Sequence, residues 1–255
     1  AGPAASQADP PWPAASVLAE RQRDAEARPL FQTAEPLTFT LTTDFKAIDR
    51  DRDPSSTKTY AATIAFAGPD GTTITRALKV RGRGHTRRGL QTCDFSPLRL
   101  EFTKDEMAGT VFAGQGNLKL GTHCRSSAVF EQFVLREYTA YRILNLLTPQ
   151  SFRARLAKAT YVDGPTKKPI GERYAMFLED DDELAKRMGG RINGRRVYGF
   201  SRVDPDHLTL VALFEYMIGN TDVAFKAQHN VQVVETPAGA RYAVPYDFDY
   251  SGLVN

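Results

Sequence analysis

The chain has 255 residues, with 33 basic against 30 acidic side chains, a formal charge of +3, and 42% hydrophobic and 25% charged residues. These are globular proportions on a chain long enough for one large domain or two small ones, and they exclude wholesale disorder. The charge excess is too weak for a general case for nucleic-acid binding, and the longest apolar stretch near a helix, Thr209 to Gly219, is broken by Glu215, well short of the about 18 apolar residues of a membrane span.

In chain order, residues 1–30 are rich in Ala and Pro and then charged, with no sustained apolar stripe, which predicts a disordered or signal-proximal tail with at most a short helix. The start at Ala1-Gly-Pro-Ala-Ala, without Met, reads as a mature end or a trimmed chain and not a native start, and is compatible with removal of a signal peptide. The domain is expected over residues 31–255. Alternation in Leu37-Thr-Phe-Thr-Leu predicts a half-buried strand, and a charged loop follows from Asp49. Ala61 to Phe66 and Ile74 to Val80 flank Pro69-Asp70-Gly71, a hairpin signal with a backbone reason, since Gly supplies the positive φ of the turn. Leu98 to Phe102 and Asn117 to Leu120 read as two further strands.

Between Ser126 and Leu147, Val129, Phe130, Phe133, Val134, Tyr138, Tyr141, Ile143, Leu144 and Leu147 recur at helical spacing, and Pro149 closes the segment. Ala157 to Val162 and Arg173 to Leu178 predict a second hairpin, and Asp180 opens a short acidic helix ending near Gly189-Gly190. Asp206 is expected to cap a helix through about Ile218, followed by the loop Gly219-Asn-Thr-Asp222 and by strands Val231 to Glu235 and Arg241 to Val244. The order is α+β. The two cysteines, Cys93 and Cys124, favour a disulfide and an oxidising compartment over two free thiols, and no Cys or His spacing supports a zinc site.

Walker-type, H-E-x-x-H, G-x-S-x-G and C-x-x-C signatures are absent from the sequence. The last third carries another inventory: Asp222 in a loop after an apolar helix, Asn230 opening a strand, and Asp247-Phe-Asp249 after the returning strand. Phosphoryl transfer needs a carboxylate to orient the attacking hydroxyl, and an Asn and an Asp to hold the metal that bridges the phosphates. The three elements are expected to converge at one end of the hairpin; a solvated, Asp-capped turn is the plainer alternative. Asp247-Phe-Asp249-Tyr-Ser-Gly also suits calcium, without the downstream Glu of an EF-hand loop.

These residues carry a resemblance. Gly219-Asn-Thr-Asp222, Asn230-Val-Gln-Val-Val and Val244-Pro-Tyr-Asp247-Phe-Asp249-Tyr-Ser-Gly resemble the carboxyl half of the CotH spore-coat kinase-like family. Leu78-Lys-Val-Arg-Gly-Arg-Gly, Asn117-Leu-Lys-Leu leading into Leu135-Arg136-Glu137, and Tyr174 to Glu179 resemble further parts of it, over residues 37–255 in all. Tyr246 replaces the family's Trp, Glu137 an Asn and His85 a frequent Asn. The resemblance implies a protein-kinase-like α+β fold: an antiparallel sheet lobe, a long helix and a helix and hairpin catalytic segment, with further helices expected beyond Asn255.

It implies Asp222 as the catalytic residue, Asn230 and Asp247 or Asp249 as ligands of Mg2+ or Mn2+, and ATP as the nucleotide. A kinase-like fold pairs a strand Lys with a helix Glu against the phosphates, which points to Lys119 with Glu137 or Glu131. Arg81 and Arg83 are candidates for bidentate phosphate contacts, with a solvated basic hairpin as the alternative. Glu179 is placed where a kinase hinge would meet adenine, or simply begins an acidic helix. The expected activity is transfer of phosphate to a hydroxyl of a secreted or periplasmic protein; the alternatives are an inactive binding or adhesion module, or transfer of an adenylyl or amino-acid group. The basic segment lacks interleaved aromatics, so no nucleic-acid partner is expected.

Overall fold

In a computed structural model of the chain, residues 10–84, 86–89, 91–192 and 199–255 are described; His85 lies outside them. Seven strands form a closed barrel: β1 (Leu37–Thr43), β2 (Tyr60–Ala67), β3 (Thr73–Gly82), β4 (Leu98–Glu101), β5 (Asn117–Gly121), β6 (Ala154–Asp163) and β7 (Pro169–Leu178), in the order β1-β2-β3-β4-β5-β7-β6. Every neighbouring pair is antiparallel except β6 with β1, which closes the barrel in parallel from Leu37↔Ala157 to Thr43↔Asp163.

This closure overturns the expected protein-kinase-like fold with its antiparallel sheet lobe. The reason lies in β6: its ten residues pair with β7 along one edge and with β1 along the other, so strands from both sides of the long helix join one continuous mixed barrel. Period-2 alternation does the rest. Phe39, Leu41, Ile64, Val80, Leu100 and Leu118 turn inward, and Phe112 packs against Phe66, Phe102 and Phe177 with ring centroids 5.0–5.5 Å apart. The β2–β3 turn is as the sequence predicts: Gly71 has φ +79°, and Asp70 Oδ1 accepts from the Thr72 amide at 3.1 Å.

A second core lies beside the barrel, where α3 (Val129–Leu147), α4 (Asp181–Arg187), α5 (Pro205–Met217) and a three-stranded sheet of β8 (Arg191–Ile192), β9 (Val231–Glu235) and β10 (Arg241–Pro245) meet. Strand β7 serves both cores: Ala175 and Phe177 face the barrel interior, Met176 and Leu178 the second core, so it reads as a continuous apolar run. Helix α3 buries Val134, Glu137, Tyr141 and Leu144 along one face. Helix α5 is capped by Asp204, which accepts from the His207 amide, with Pro205 in the first turn; Asp206, the expected cap, lies inside that turn.

Ala15–Glu26, expected in the tail, forms helix α1 against α4, and a short helix α2 (Phe45–Arg50) follows β1. Arg28 pairs with Glu183, and Leu30 is fully buried in the barrel core. Cys93 and Cys124 form a disulfide tying the segment after β3 to the β5–α3 connection. Among the described residues no helix is long and apolar enough to cross a membrane.

Candidate phosphate and metal site

The site is assembled where the open end of the β9–β10 hairpin meets α3 and the outer face of β5. Asn230 immediately precedes β9, and its carbonyl accepts from the Tyr246 amide at 2.9 Å, extending the hairpin by one rung. That rung sets Asn230 beside the start of the Asp247-Phe-Asp249 segment. Asp222 is brought in by side-chain bonds: Asn230 Nδ2 donates to Asp222 Oδ2 at 3.0 Å and to its carbonyl at 2.8 Å, and His229 Nε2 lies 3.0 Å from Asp222 Oδ1. From behind, Asn220 Oδ1 accepts from the Asp222 amide while its Nδ2 donates to Glu215 Oε2 at 2.7 Å. The loop thus places a carboxylate held on both oxygens.

The backbone is strained here. Gln228, Asn230 and Asp247 have φ of +51°, +56° and +63°; among the described residues the one other non-glycine with positive φ is Lys167, in the β6–β7 turn. Left-handed backbone costs a non-glycine residue free energy, least for Asn and Asp, and such positions cluster at ligand sites. The Asp247 amide is anchored by the Tyr141 hydroxyl at 2.9 Å, while its carboxylate has no hydrogen-bond or ion-pair partner among the described residues. The same holds for the side-chain oxygen of Asn230. Asp249 differs: it is bonded to the guanidinium of Arg87.

Arg87 sits in the 3-10 turn Thr86–Arg88 and also lies 3.9 Å from Glu137, which projects from the buried face of α3. Burial, together with the nearby charges of Asp247 and Asp249, pushes the Glu137 carboxyl up to about 8 despite the attraction of Arg87. Burial and Asp247 raise Asp249 as well, and the surrounding carboxylates hold Arg87 in its charged form. Arg83 lies within electrostatic reach of Glu137, Lys119 and Tyr246; its guanidinium has no hydrogen-bond or ion-pair partner among the described residues, and its Nε is buried. An open cleft of about 330 Å3, walled by Phe130, Phe133 and Tyr250, ends on Arg87, Glu137 and Asp249.

No family model matches this chain, and no curated protein matches it. The residues themselves must therefore carry the functional reading.

Of the sequence-predicted residues, Asp222, Asn230, Asp247, Asp249, Glu137 and Arg83 are brought into this neighbourhood. Lys119 borders it, but not with the expected partner: it is bonded to Asp181 at 2.5 Å, and neither Glu137 nor Glu131 reaches it. The cause is register. Lys119 stands opposite Leu178 on β7, so its outward side chain meets the start of α4, its ammonium lying 5.2 Å and 5.3 Å from the ring centres of Phe152 and Tyr246. Desolvation there lowers its affinity for the proton, opposed by Asp181. Glu131 accepts from the Tyr174 amide.

Arg81 and Glu179 are not brought in. Arg81 pairs with Glu101 at 3.0 Å on the outer barrel wall. Both oxygens of Glu179 are occupied by Arg187, at 2.8 Å and 2.9 Å, in a buried bidentate pair, and one also accepts from the Arg153 amide, so Glu179 is a structural anion with no oxygen left for adenine. Sequence reasoning missed Arg87 and Tyr141. Tyr141 is legible in hindsight from its place on the Val134, Glu137, Leu144 face; nothing in the run Arg81 to Arg88 separates Arg87 from Arg88, which is buried on Asp51 and the Ser56 carbonyl instead.

Among the described residues no three His, Cys, Asp or Glu side chains form a ready-made metal cage. The donors present are hard oxygens, the Asp247 carboxylate and the Asn230 amide oxygen, both without protein partners among the described residues. That set fits magnesium or manganese, which are commonly held by one or two carboxylates with substrate phosphates and water completing the shell.

Proposed function

We propose that the chain is an ATP-dependent phosphotransferase, using magnesium or manganese, whose acceptor is a hydroxyl of a protein outside the cytoplasm. The observation that carries this reading is Asp222 bonded to Asn230, with Asn230 and Asp247 both on left-handed backbone, near an Arg83 guanidinium that has no partner within the described protein. Asn230 and Asp247 hold the ion, which when bound neutralises phosphate oxygens. Arg83 binds phosphate in a fork that matches its geometry. Asp222, fixed by Asn230 and Asn220, orients the acceptor hydroxyl, and His229 on its other oxygen sets which face it presents. The disulfide supports an oxidising compartment.

A binding module without catalysis is the second reading, favoured by one observation: Lys119 and Arg87, the cations nearest the acidic residues, each already carry a carboxylate of this chain. Radiolabelled ATP with Mn2+ separates the two. Transfer of the γ-label to a protein acceptor, abolished by Asp222→Asn, supports the phosphotransferase; nucleotide binding without transfer supports the module. A product heavier by an adenylyl or amino-acid group would redirect the same pocket to another transfer.

A further inference from the structure

Two-metal phosphoryl-transfer sites place their ions about 4 Å apart, so that both the attacking and leaving oxygens are clamped. In the present site the acidic residues are divided between two positions. One is bounded by Asn230 and Asp247, whose oxygens have no protein partner among the described residues. The other is bounded by Asp249 and Glu137, and there a guanidinium is already seated: Arg87 bonds Asp249 and lies 3.9 Å from Glu137.

We infer that Arg87 is a built-in cation that takes the place of a second metal, so that the site admits one divalent ion, between Asn230 and Asp247. This rests on the metal-dependent reading above.

The segment carrying Arg87 is fixed from several sides. Arg52 donates to the carbonyls of Arg88, Cys93 and Asp94 and to Ser96 Oγ. Arg88, the next residue, is 2% exposed and bonded to Asp51 and Ser56, and the Cys93–Cys124 disulfide closes the segment's far end. The guanidinium on this turn is itself bonded to Asp249, so an arriving ion would have to displace it from that carboxylate. Its position among carboxylates also explains why it differs from Arg83: Arg83 is left for an anionic ligand, whereas Arg87 is consumed in compensating the protein's own anions.

The test is the number of Mn2+ ions bound by the full chain without nucleotide, read from the electron paramagnetic resonance of the remaining free ion. Wild type is expected to bind one and Arg87→Gln two, with Arg87→Met as a second neutral variant of similar length and circular dichroism to confirm folding. Arg87→Lys, which keeps the charge, is expected to stay at one. Two ions in the wild type, or a single ion in both folded neutral variants, overturns the inference and leaves the metal site standing. No Mn2+ bound by the wild type at millimolar concentration overturns the metal-dependent reading itself, and the inference with it.

Discussion

The barrel interior and the seam between barrel and second core are built on opposite rules. Inside the barrel nearly every position is apolar, aromatic rings interlock around Phe112, and the strands follow simple alternation. In the seam, Lys119, Glu137 and Asn230 are buried at 7–8% exposure, three residues hold left-handed backbone, and charges are compensated across elements distant in sequence. Burying ionisable groups costs stability unless they are paired, and in the seam Lys119 is compensated by Asp181 and Glu137 by Arg87. The barrel is the scaffold; the seam is where the proposed chemistry is placed.

The largest effect that sharpens this contrast is on the scaffold side. Phe112→Ala removes a fully buried ring from the barrel and is expected to cost roughly 3–5 kcal/mol in chemical denaturation. Replacing Cys93 and Cys124 by Ser releases a closure of 31 residues and is expected to cost about 3 kcal/mol in the same measurement. On the seam side the sign should reverse. Glu215 is buried, one of its oxygens has no partner, and burial raises its carboxyl to about 7 from the ordinary 4.5, opposed by Asn220. With the folded value above the unfolded one, its contribution to stability is full below about pH 4.5 and lost as the pH rises through about 7. Glu215→Gln, which mimics the neutral acid, should therefore be more stable than wild type at pH 8 by roughly 3 kcal/mol, with the difference gone at pH 4. Equal offsets at both pH values would contradict this. Smallest is Asp247→Gly, which relieves the positive φ and should raise stability by about 1 kcal/mol while removing the metal response.

What the sequence made legible was local. Pro69-Asp70-Gly71, the 3.6-residue pattern of α3 and the acidic opening of α4 each depend on neighbours along the chain, and the hairpin that sets Asn230 opposite Tyr246, one residue before Asp247, is short enough to be read the same way. What it hid depends on distant pairing. Nothing in β1 or β6 announces their parallel ladder, more than a hundred residues apart, so local patterns predict an antiparallel lobe where a mixed barrel forms. For the same reason the partners of the charged residues were misassigned: Lys119 follows the β5–β7 register to Asp181, Glu179 turns to Arg187, and Arg87 crosses to Asp249.

The central claim is that the unpartnered oxygens at the end of the hairpin bind a metal and its nucleotide. It is tested most directly by the melting temperature of wild type and Asp247→Ala with ATP and Mn2+, since a ligand that binds only the folded state raises it. The account predicts a rise in the wild type that requires both ATP and metal and is absent in Asp247→Ala, whose melting temperature without ligand is no lower. No rise in the wild type, or the same rise in both proteins, would contradict it.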